Sequence, residues 1–535
     1  MKIVKYLGYM LVAIVALLAF GFIGKTTYDR QIDYDVDLAG TAIPKFTEID
    51  VPFYQIYNAT ESLPFVAGAA IDVDGDGTEE LFLGGGRGQP DGLFRFEGGK
   101  FIAINNAGGI TKPDDALSHG SVVLDVNGDG TEDLIVAREG GLWLHTNDDG
   151  IFSSHKLDAP LREDTTPLSV AVGDINGDGH FDMYVSGYIR NDLVEGQNIF
   201  NKEGYGGTSA LFINRGDNTF ENKTTEAGLH YKHNTFQAVF IDVDRDNDLD
   251  LVVAHDTGQV RTWQNDGSGK FSNLDNPTSK FFTYPMGIAV ADYDQNGLVD
   301  FFFSNVGSTP PNFLLRGDLR DDQINNWKWM LFNNNGGFQF KDVAHDAKLA
   351  DYEFSWGAVF SDLNLDGRED LIVSENYIGL PLHKLEFLRL PGRVLVQTPS
   401  GKFAAVGAEA GVVNKHYSIS PITADFNGDG YPDIVHVNLS GRSKAFFSKA
   451  GDNGYLKVKL PATVGSIGAI VKVSLDDGRD ITKFYVSGEG LCSDSSRMIT
   501  VGLGKSNNAT TVSVTYINGT TDQKNGSFRN EVVSF

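Results

Sequence analysis

The chain reads as an all-β protein, a seven-bladed β-propeller followed by a small C-terminal β domain. Three observations predict this. One acidic loop pattern recurs seven times, starting at Asp72, Asp125, Asp174, Asp242, Asp292, Asp362 and Asp425. The starts are 53, 49, 68, 50, 70 and 63 residues apart, and about 50 residues make one four-stranded propeller blade. Short apolar runs flank each loop, such as Ser121-Val122-Val123-Leu124 before and Leu134-Ile135-Val136-Ala137 after the second. Runs of that length are strand signals, so each loop joins the two strands of a hairpin.

Composition agrees. In 535 residues there are 62 glycines and 17 prolines, which suits short strands joined by tight turns. The formal net charge is −27, from 71 acidic and 44 basic residues. Such a balance excludes binding to a nucleic-acid backbone, which needs a positive surface, and favours cations. The single cysteine, Cys492, leaves no intrachain disulfide, so stability has to come from a large core or from bound metal.

At the N-terminus, Lys2 and Lys5 precede an uncharged, largely apolar run from Tyr6 to Gly24, followed by Lys25 and Arg30. The length lies between a signal peptide's apolar region and a membrane span of about 20 residues. Residues 1–25 therefore read as a signal peptide or a signal anchor, and residues 26–50 as a polar linker. In both cases the rest of the chain is expected outside the cytoplasm, either membrane-anchored or secreted or periplasmic, because the leading basic residues stay inside. Residues 51–450 are assigned to the propeller and 451–535 to the C-terminal domain.

Each acidic loop runs Asp-x-Asp/Asn-x-Asp/Asn with an acid at the ninth position. In order, the sets are Asp72, Asp74, Asp76 and Glu80; Asp125, Asn127, Asp129 and Asp133; Asp174, Asn176, Asp178 and Asp182; Asp242, Asp244, Asp246 and Asp250; Asp292, Asp294, Asn296 and Asp300; Asp362, Asn364, Asp366 and Asp370; and Asp425, Asn427, Asp429 and Asp433. Calcium is a hard cation that takes six to eight oxygens, and a tight loop can aim alternate side chains at one centre. The sixth position needs a backbone tolerant of positive φ. It is Gly in six copies and Asn247 in the fourth. An EF-hand is excluded because its loop needs a glutamate at position twelve, where this chain has Leu83, Val136, Val185, Val253, Phe303, Val373 and His436. Up to seven calcium ions are expected. They would move the formal charge from −27 to −13, and a site filled at a hundredfold excess of free calcium over its dissociation constant adds roughly 2.7 kcal/mol.

A second phrase follows most loops: an apolar strand, a polar turn, then Phe. Leu211-Phe212-Ile213-Asn214 leads to Phe220, Trp263-Gln264-Asn265 to Phe271, and Leu331-Phe332-Asn333 to Phe338. Two hairpins per repeat make four strands. Extra length in three repeats falls at about 188–208, 307–328 and 376–393, and is expected as loops, where propeller ligands are often held.

These loops resemble the calcium-loop repeats called VCBS or FG-GAP. Phe220-Glu221-Asn222-Lys223-Thr224-Thr225-Glu226-Ala227-Gly228-Leu229 and Phe340-Lys341-Asp342-Val343 resemble a phrase of the cartilage acidic protein family. In the tail, Gly465 to Val473, Gly488-Glu489-Gly490-Leu491-Cys492-Ser493-Asp494-Ser495-Ser496-Arg497, Val501-Gly502-Leu503-Gly504 and Val512 to Gly519 resemble the ASPIC/UnbV domain, with Tyr516 where that family usually has Trp. The resemblance implies a seven-bladed propeller followed by a compact β domain. It implies little about activity.

No nucleophile elbow, phosphate loop or dinucleotide fingerprint is present. His119, Gln237, Met286 and Trp356 stand near the starts of strands expected to line the channel, where they either face a ligand or pack. Cys492 is expected to be buried and inert. The favoured reading is an extracytoplasmic calcium-binding module for adhesion to a protein or glycan. The alternatives are a polysaccharide lyase or hydrolase, for which Tyr188, Arg190, His230 and His233 are available, and a structural component of a surface assembly.

Overall fold

The structure is a computed structural model that describes residues 2–29, 34–112, 115–194, 205–307, 319, 323–377, 389–505 and 507–535, with side chains of the first helix described for residues 8–21. Among these residues, seven sheets carry one acidic loop each: six are four-stranded and antiparallel, and the first adds the short strand Ser493–Asp494 in parallel to its four. In the second sheet, Ser118–Leu124 and Asp133–Arg138 flank the loop, followed by Gly141–Asp148 and Ile151–Lys156. The other hairpins repeat the plan: Thr165–Gly173 with Asp182–Ile189, Thr235–Ile241 with Asp250–His255, and Tyr417–Ala424 with Asp433–Leu439. Their residues are buried on both faces, which is why the flanking runs read as continuous apolar stretches rather than alternating ones.

The first strand of each sheet lies against the first strand of the next, and the seventh returns to the first. Apolar side chains fill the space between neighbours. Between the second and third sheets, Val122, Leu124 and Ile135 meet Val170, Val172 and Met183, all almost fully buried.

The seventh sheet is completed from the far end of the chain. Its outer strand is Phe46–Gln55, paired antiparallel with Gly441–Ser448. This corrects the linker reading of residues 26–50. Residues 26–29 belong to the first helix, Lys2–Asp29, residues 30–33 lie outside the described residues, and the strand begins at Phe46. The physical reason is pairing: Lys444 bridges Glu48 and Asp50, and Val51 is fully buried. Further upstream, the Tyr34 hydroxyl donates to Asp351, and Val36, Leu38 and Ile43 pack on the core between the sixth and seventh sheets.

The apolar N-terminal run is helical, and its side chains from Tyr9 to Phe20 are mostly exposed. Among the described residues no helix is long and apolar enough to cross a membrane.

The tail folds into two small sheets. One has Gly454–Lys459 between Ile499–Gly504 and Glu531–Ser534. The other orders Asp480–Phe484, Ile470–Leu475, Ala509–Thr515 and Thr521–Phe528. Both rest on the sheet ends that carry the acidic loops: Asp125 donates its N–H to the Ala462 carbonyl, Gly504 to that of Leu365, and Asn453 donates its amide to the Asn364 carbonyl. From this platform the segment Gly488–Arg497 enters the ring. Ser493 and Asp494 pair in parallel with Gly68 and Ala69 of the first sheet. Asp494 accepts the Val123 N–H of the second sheet at 2.8 Å, and Cys492 donates its N–H to Ser169 of the third at 3.2 Å. Gln237 of the fourth donates to the Gly488 carbonyl at 3.0 Å, Val290 of the fifth to Glu489 at 2.9 Å, and Ser493 to Ser420 of the seventh at 2.7 Å. One ten-residue segment thus binds the first strands of six sheets.

Asp494 also pairs with buried Arg497, which donates to the Val123 carbonyl at 2.7 Å. Removing one partner of a buried pair strands the other charge. Asp494→Ala should therefore cost about 3–5 kcal/mol of unfolding free energy, read by urea denaturation, while a cut near residue 450 should leave the tail bound to the ring on gel filtration.

Candidate metal centres

The loop geometry follows from backbone chemistry. The sixth position is left-handed in every copy, from φ 84° at Gly179 to 91° at Gly430, with Asn247 at 71°. The fourth position is left-handed too, a demand not apparent from the repeat. Gly75, Gly128, Gly177 and Gly428 meet it freely, whereas Arg245, Gln295 and Leu365 adopt it at φ 67°, 59° and 54°, a conformation unfavourable for side chains of that size.

The ninth-position acids are the best-buried members. In six loops one oxygen accepts the N–H of the second loop residue and the other accepts an N–H at the end of the third strand. Asp133 holds Val126 and Asn147, Asp182 holds Ile175 and Asn214, and Asp250 holds Val243 and Asn265. Asp300, Asp370 and Asp433 repeat the arrangement. The third-strand residue then reaches the neighbouring loop. Amides of Asn147, Asn265, Asn334 and Gln397 donate to the carbonyls of Val73, Ile175, Val243 and Tyr293, the second residues of the preceding loops. Sequence reading missed this belt of inter-sheet bonds. Its signal was the amide side chain that closes the third strand, as at Asn265.

The loops divide into two groups at the third position. Where it is Asp, carboxylates converge: oxygens of Asp72, Asp74 and Asp76, of Asp242, Asp244 and Asp250, and of Asp292, Asp294 and Asp300 lie within 4.8 Å of one another. In the same three loops a buried carboxylate oxygen has no hydrogen-bond partner: Oδ1 of Asp72, of Asp244 and Asp248, and of Asp292. An orphaned buried anion is costly, and a bound cation such as calcium would satisfy it. These loops fit the ion. Where the third position is Asn127, Asn176, Asn364 or Asn427, its Oδ1 accepts the fifth-position N–H at 3.0 Å, and the first aspartate accepts the same N–H. Oxygens there are occupied internally.

Several charges answer these acids from within the chain. Arg95 donates to Asp74 at 2.5 Å and to Glu80 at 2.7 Å, and Arg368 to Asp366 at 2.5 Å. Elsewhere burial dominates and raises the carboxyl pKa, to about 7 for Asp182, about 8 for Asp250 and Asp300, and about 9 for Asp433.

The four channel candidates pack rather than face a ligand. His119 is buried, with Nδ1 3.1 Å from the Phe65 carbonyl. Gln237 holds the tail and also accepts the Ile288 N–H. Met286 and Trp356 join Phe65, Phe236, Leu491 and Cys492 in one apolar cluster. Burial pushes the Cys492 thiol up to about 12, an inert packing group. Tyr188 donates to Asp256 at 2.5 Å, His233 Nε2 lies 3.0 Å from the Thr257 carbonyl, Arg190 pairs with Asp192, and His230 is exposed. Tyr188 and His233 thus both bond to the Asp256–Thr257 turn. The centres of the three long insertions lie outside the described residues.

Comparison with known proteins agrees with this geometry. The FG-GAP-like repeat family matches residues 125–185 and 242–303, spans that contain the second to fifth loops, and the ASPIC and UnbV family matches 464–532, which contains the inserted tail segment. The chain carries FG-GAP-like repeats and an ASPIC/UnbV domain. Its relatives include cartilage acidic protein 1 of Homo sapiens, 22% identical over 508 residues, covering 87% of this chain and 70% of that protein. The Mus musculus protein of the same name is 24% identical over 464 residues, covering 78% and 68%. Among solved structures, an Agrocybe aegerita lectin described for recognition of non-reducing terminal N-acetylglucosamine is 16% identical, covers 73% of this chain and 88% of its own, and has a TM-score of 0.39. The V. cholerae biofilm matrix protein Bap1 is 10% identical, covers 76% and 91%, and has a TM-score of 0.36.

Two outcomes follow from the FG-GAP-like loops. Asn265→Ala removes donors to the Ile175 and Leu249 carbonyls and should cost about 1–3 kcal/mol in urea denaturation. In chelator, the acids with raised pKa bind more protons folded than unfolded, so their contribution to stability falls as pH rises through their folded values. The buried His145, His233 and His436, held neutral by burial with pKa values of about 3 to 4, act only below the ordinary histidine value of about 6.5. From about pH 6.5 to 8.5 the chelated protein should therefore lose several degrees of Tm, and saturating calcium should flatten that loss.

Proposed function

We propose that the chain is an extracytoplasmic seven-bladed propeller, set by calcium in its acidic loops, that serves as a binding or adhesion module for a protein or glycan. One observation carries this reading: the ASPIC/UnbV domain covers the loop-bearing face and fills the channel, so recognition falls to the opposite face. In each sheet the acidic loop joins strands one and two at one end, so the connection from strand two to three, where all three insertions occur, emerges at the other.

On that opposite face the described residues form a groove of about 660 Å³ between the second and third sheets, lined by Lys156, Arg162 and Arg190 together with Glu139, Asp158 and Glu163. In a chain of net charge −27, this balanced set of charges suits a polar ligand rich in hydroxyls. The same negative charge argues against nucleic acid. A platform outside the cytoplasm suits the low-identity relationship to cartilage acidic protein 1 and needs no disulfide, since bound calcium and the large core hold it.

The lyase or hydrolase alternative draws no support from Tyr188 and His233, whose polar atoms are engaged by the fold. The test is a glycan array and a surface-protein panel probed with the purified chain. Saturable binding that EDTA abolishes, and that Arg162→Ala with Arg190→Ala weakens at least tenfold without changing Tm, is expected. Turnover of an acidic polysaccharide would replace the reading with the enzymatic one, and a stable co-purifying partner with the assembly one.

A further inference from the structure

The seventh acidic loop meets a cation from its own chain. Lys457 lies mid-strand in Gly454–Lys459, which is paired on both sides, with Ile499–Gly504 and Glu531–Ser534. Its side chain is 9% exposed, and its ammonium is 2.5 Å from Oδ2 of Asp425, the first ligand position. The backbone is seated as closely. A Cβ on Gly430, the sixth position, would meet the Tyr455 ring at 2.0 Å, and the Tyr431 hydroxyl donates to the Asn453 carbonyl at 2.6 Å.

The other oxygens of this loop are engaged. Asp425 Oδ1 accepts the Asp429 N–H at 3.0 Å and Oδ2 also accepts that of Gly430 at 2.6 Å. Asn427 accepts the Asp429 N–H and donates its amide back to Asp429 at 3.2 Å. Asp433 holds Phe426 and Ser448. In contrast to the first, fourth and fifth loops, none of its buried carboxylate oxygens lacks a partner.

We propose that the seventh loop is not a calcium site: the Lys457 ammonium is its resident cation, and it locks the tail domain onto the ring by a charge that chelators cannot remove. An ammonium brings one charge and three donors, which the acceptors here can serve. Calcium demands six to eight oxygens, and its entry would place a second cation on Asp425, whose Oδ2 already takes the Lys457 ammonium, or pull Lys457 out of a strand paired on both edges. Other loops also meet cations of the chain, but more exposed ones: Arg95 reaches Asp74 and Glu80 of the first and is 46% exposed, and Arg368 reaches Asp366 of the sixth and is 20% exposed. Lys459 lies 3.4 Å from Asp72 of the first loop but is 44% exposed, and Lys483 pairs with Glu369 of the sixth, a residue outside the ligand set. This inference rests on the calcium reading of the remaining loops, and the test separates the two.

Calcium would be counted by native mass spectrometry on the full-length chain, and Tm measured in calcium and in EDTA. Asp425→Asn should bind as many ions as the parent and lose the same several degrees of Tm in both buffers, since it strands a buried ammonium. Asp292→Asn should bind one ion fewer and lose Tm only in calcium. Lys457→Met, where it folds, should gain one ion. One ion fewer in Asp425→Asn, or a Tm loss confined to calcium, would overturn the proposal. If the parent binds no calcium, the calcium reading of the other loops falls. The Lys457 lock then stands on a Tm loss in Asp425→Asn and is overturned by its absence.

Discussion

The ninth-position aspartate of six of the seven acidic loops is the contact on which the ring is built. Its carboxylate is buried at Asp133, Asp182, Asp250, Asp300, Asp370 and Asp433, and each oxygen takes one backbone N–H, from the loop and from the third strand. That one group closes the first hairpin and aligns it with the second. In four sheets the third-strand amide so placed then binds the carbonyl of the preceding loop, so the constraint passes between neighbouring sheets. Anions as buried as these are stable only where hydrogen bonds or a cation answer them. Metal chemistry and architecture are thus one problem in this protein.

Closure uses both ends of the chain. Phe46–Gln55 supplies the outer strand of the seventh sheet, so the ring cannot open without breaking a sheet ladder. The tail acts from the centre, where Gly488–Arg497 reaches six of the first strands. Glycine is needed at Gly488, where φ is 72° and a Cβ would sit 2.8 Å from the Val170 carbonyl. A ring of this kind often leaves a channel, but here Leu491 and Cys492 complete an apolar cluster with Phe65, Phe236 and Trp356.

Charge is distributed to match. The tail presents Lys457, Lys459 and Lys483 to the seventh, first and sixth loops, while the fourth and fifth keep convergent carboxylates. A lysine of the chain thus reaches the seventh loop, whereas the fourth and fifth leave carboxylates facing one another. A lysine carried on a strand ties two domains together. A free ion rigidifies a single loop and responds to its concentration.

The repeat of the loops, their spacing and the apolar runs beside them were enough to read an all-β repeat of four-stranded sheets and the left-handed sixth position, because those properties depend on residues close in the chain. The third-position split between Asp and Asn was also legible, residue by residue, although its consequence was not. What only the tertiary structure decided are contacts between distant segments: the strand from Phe46, the belt of third-strand amides, the burial of His119, Gln237, Met286 and Trp356, and the approach of Lys457 to Asp425. A lysine between two apolar residues in a strand reads as a solvated face. Only the docking of the tail on the loops turns that side chain inward, because pairing on both edges fixes its direction and the acidic loop beneath supplies the carboxylate that makes its burial tolerable.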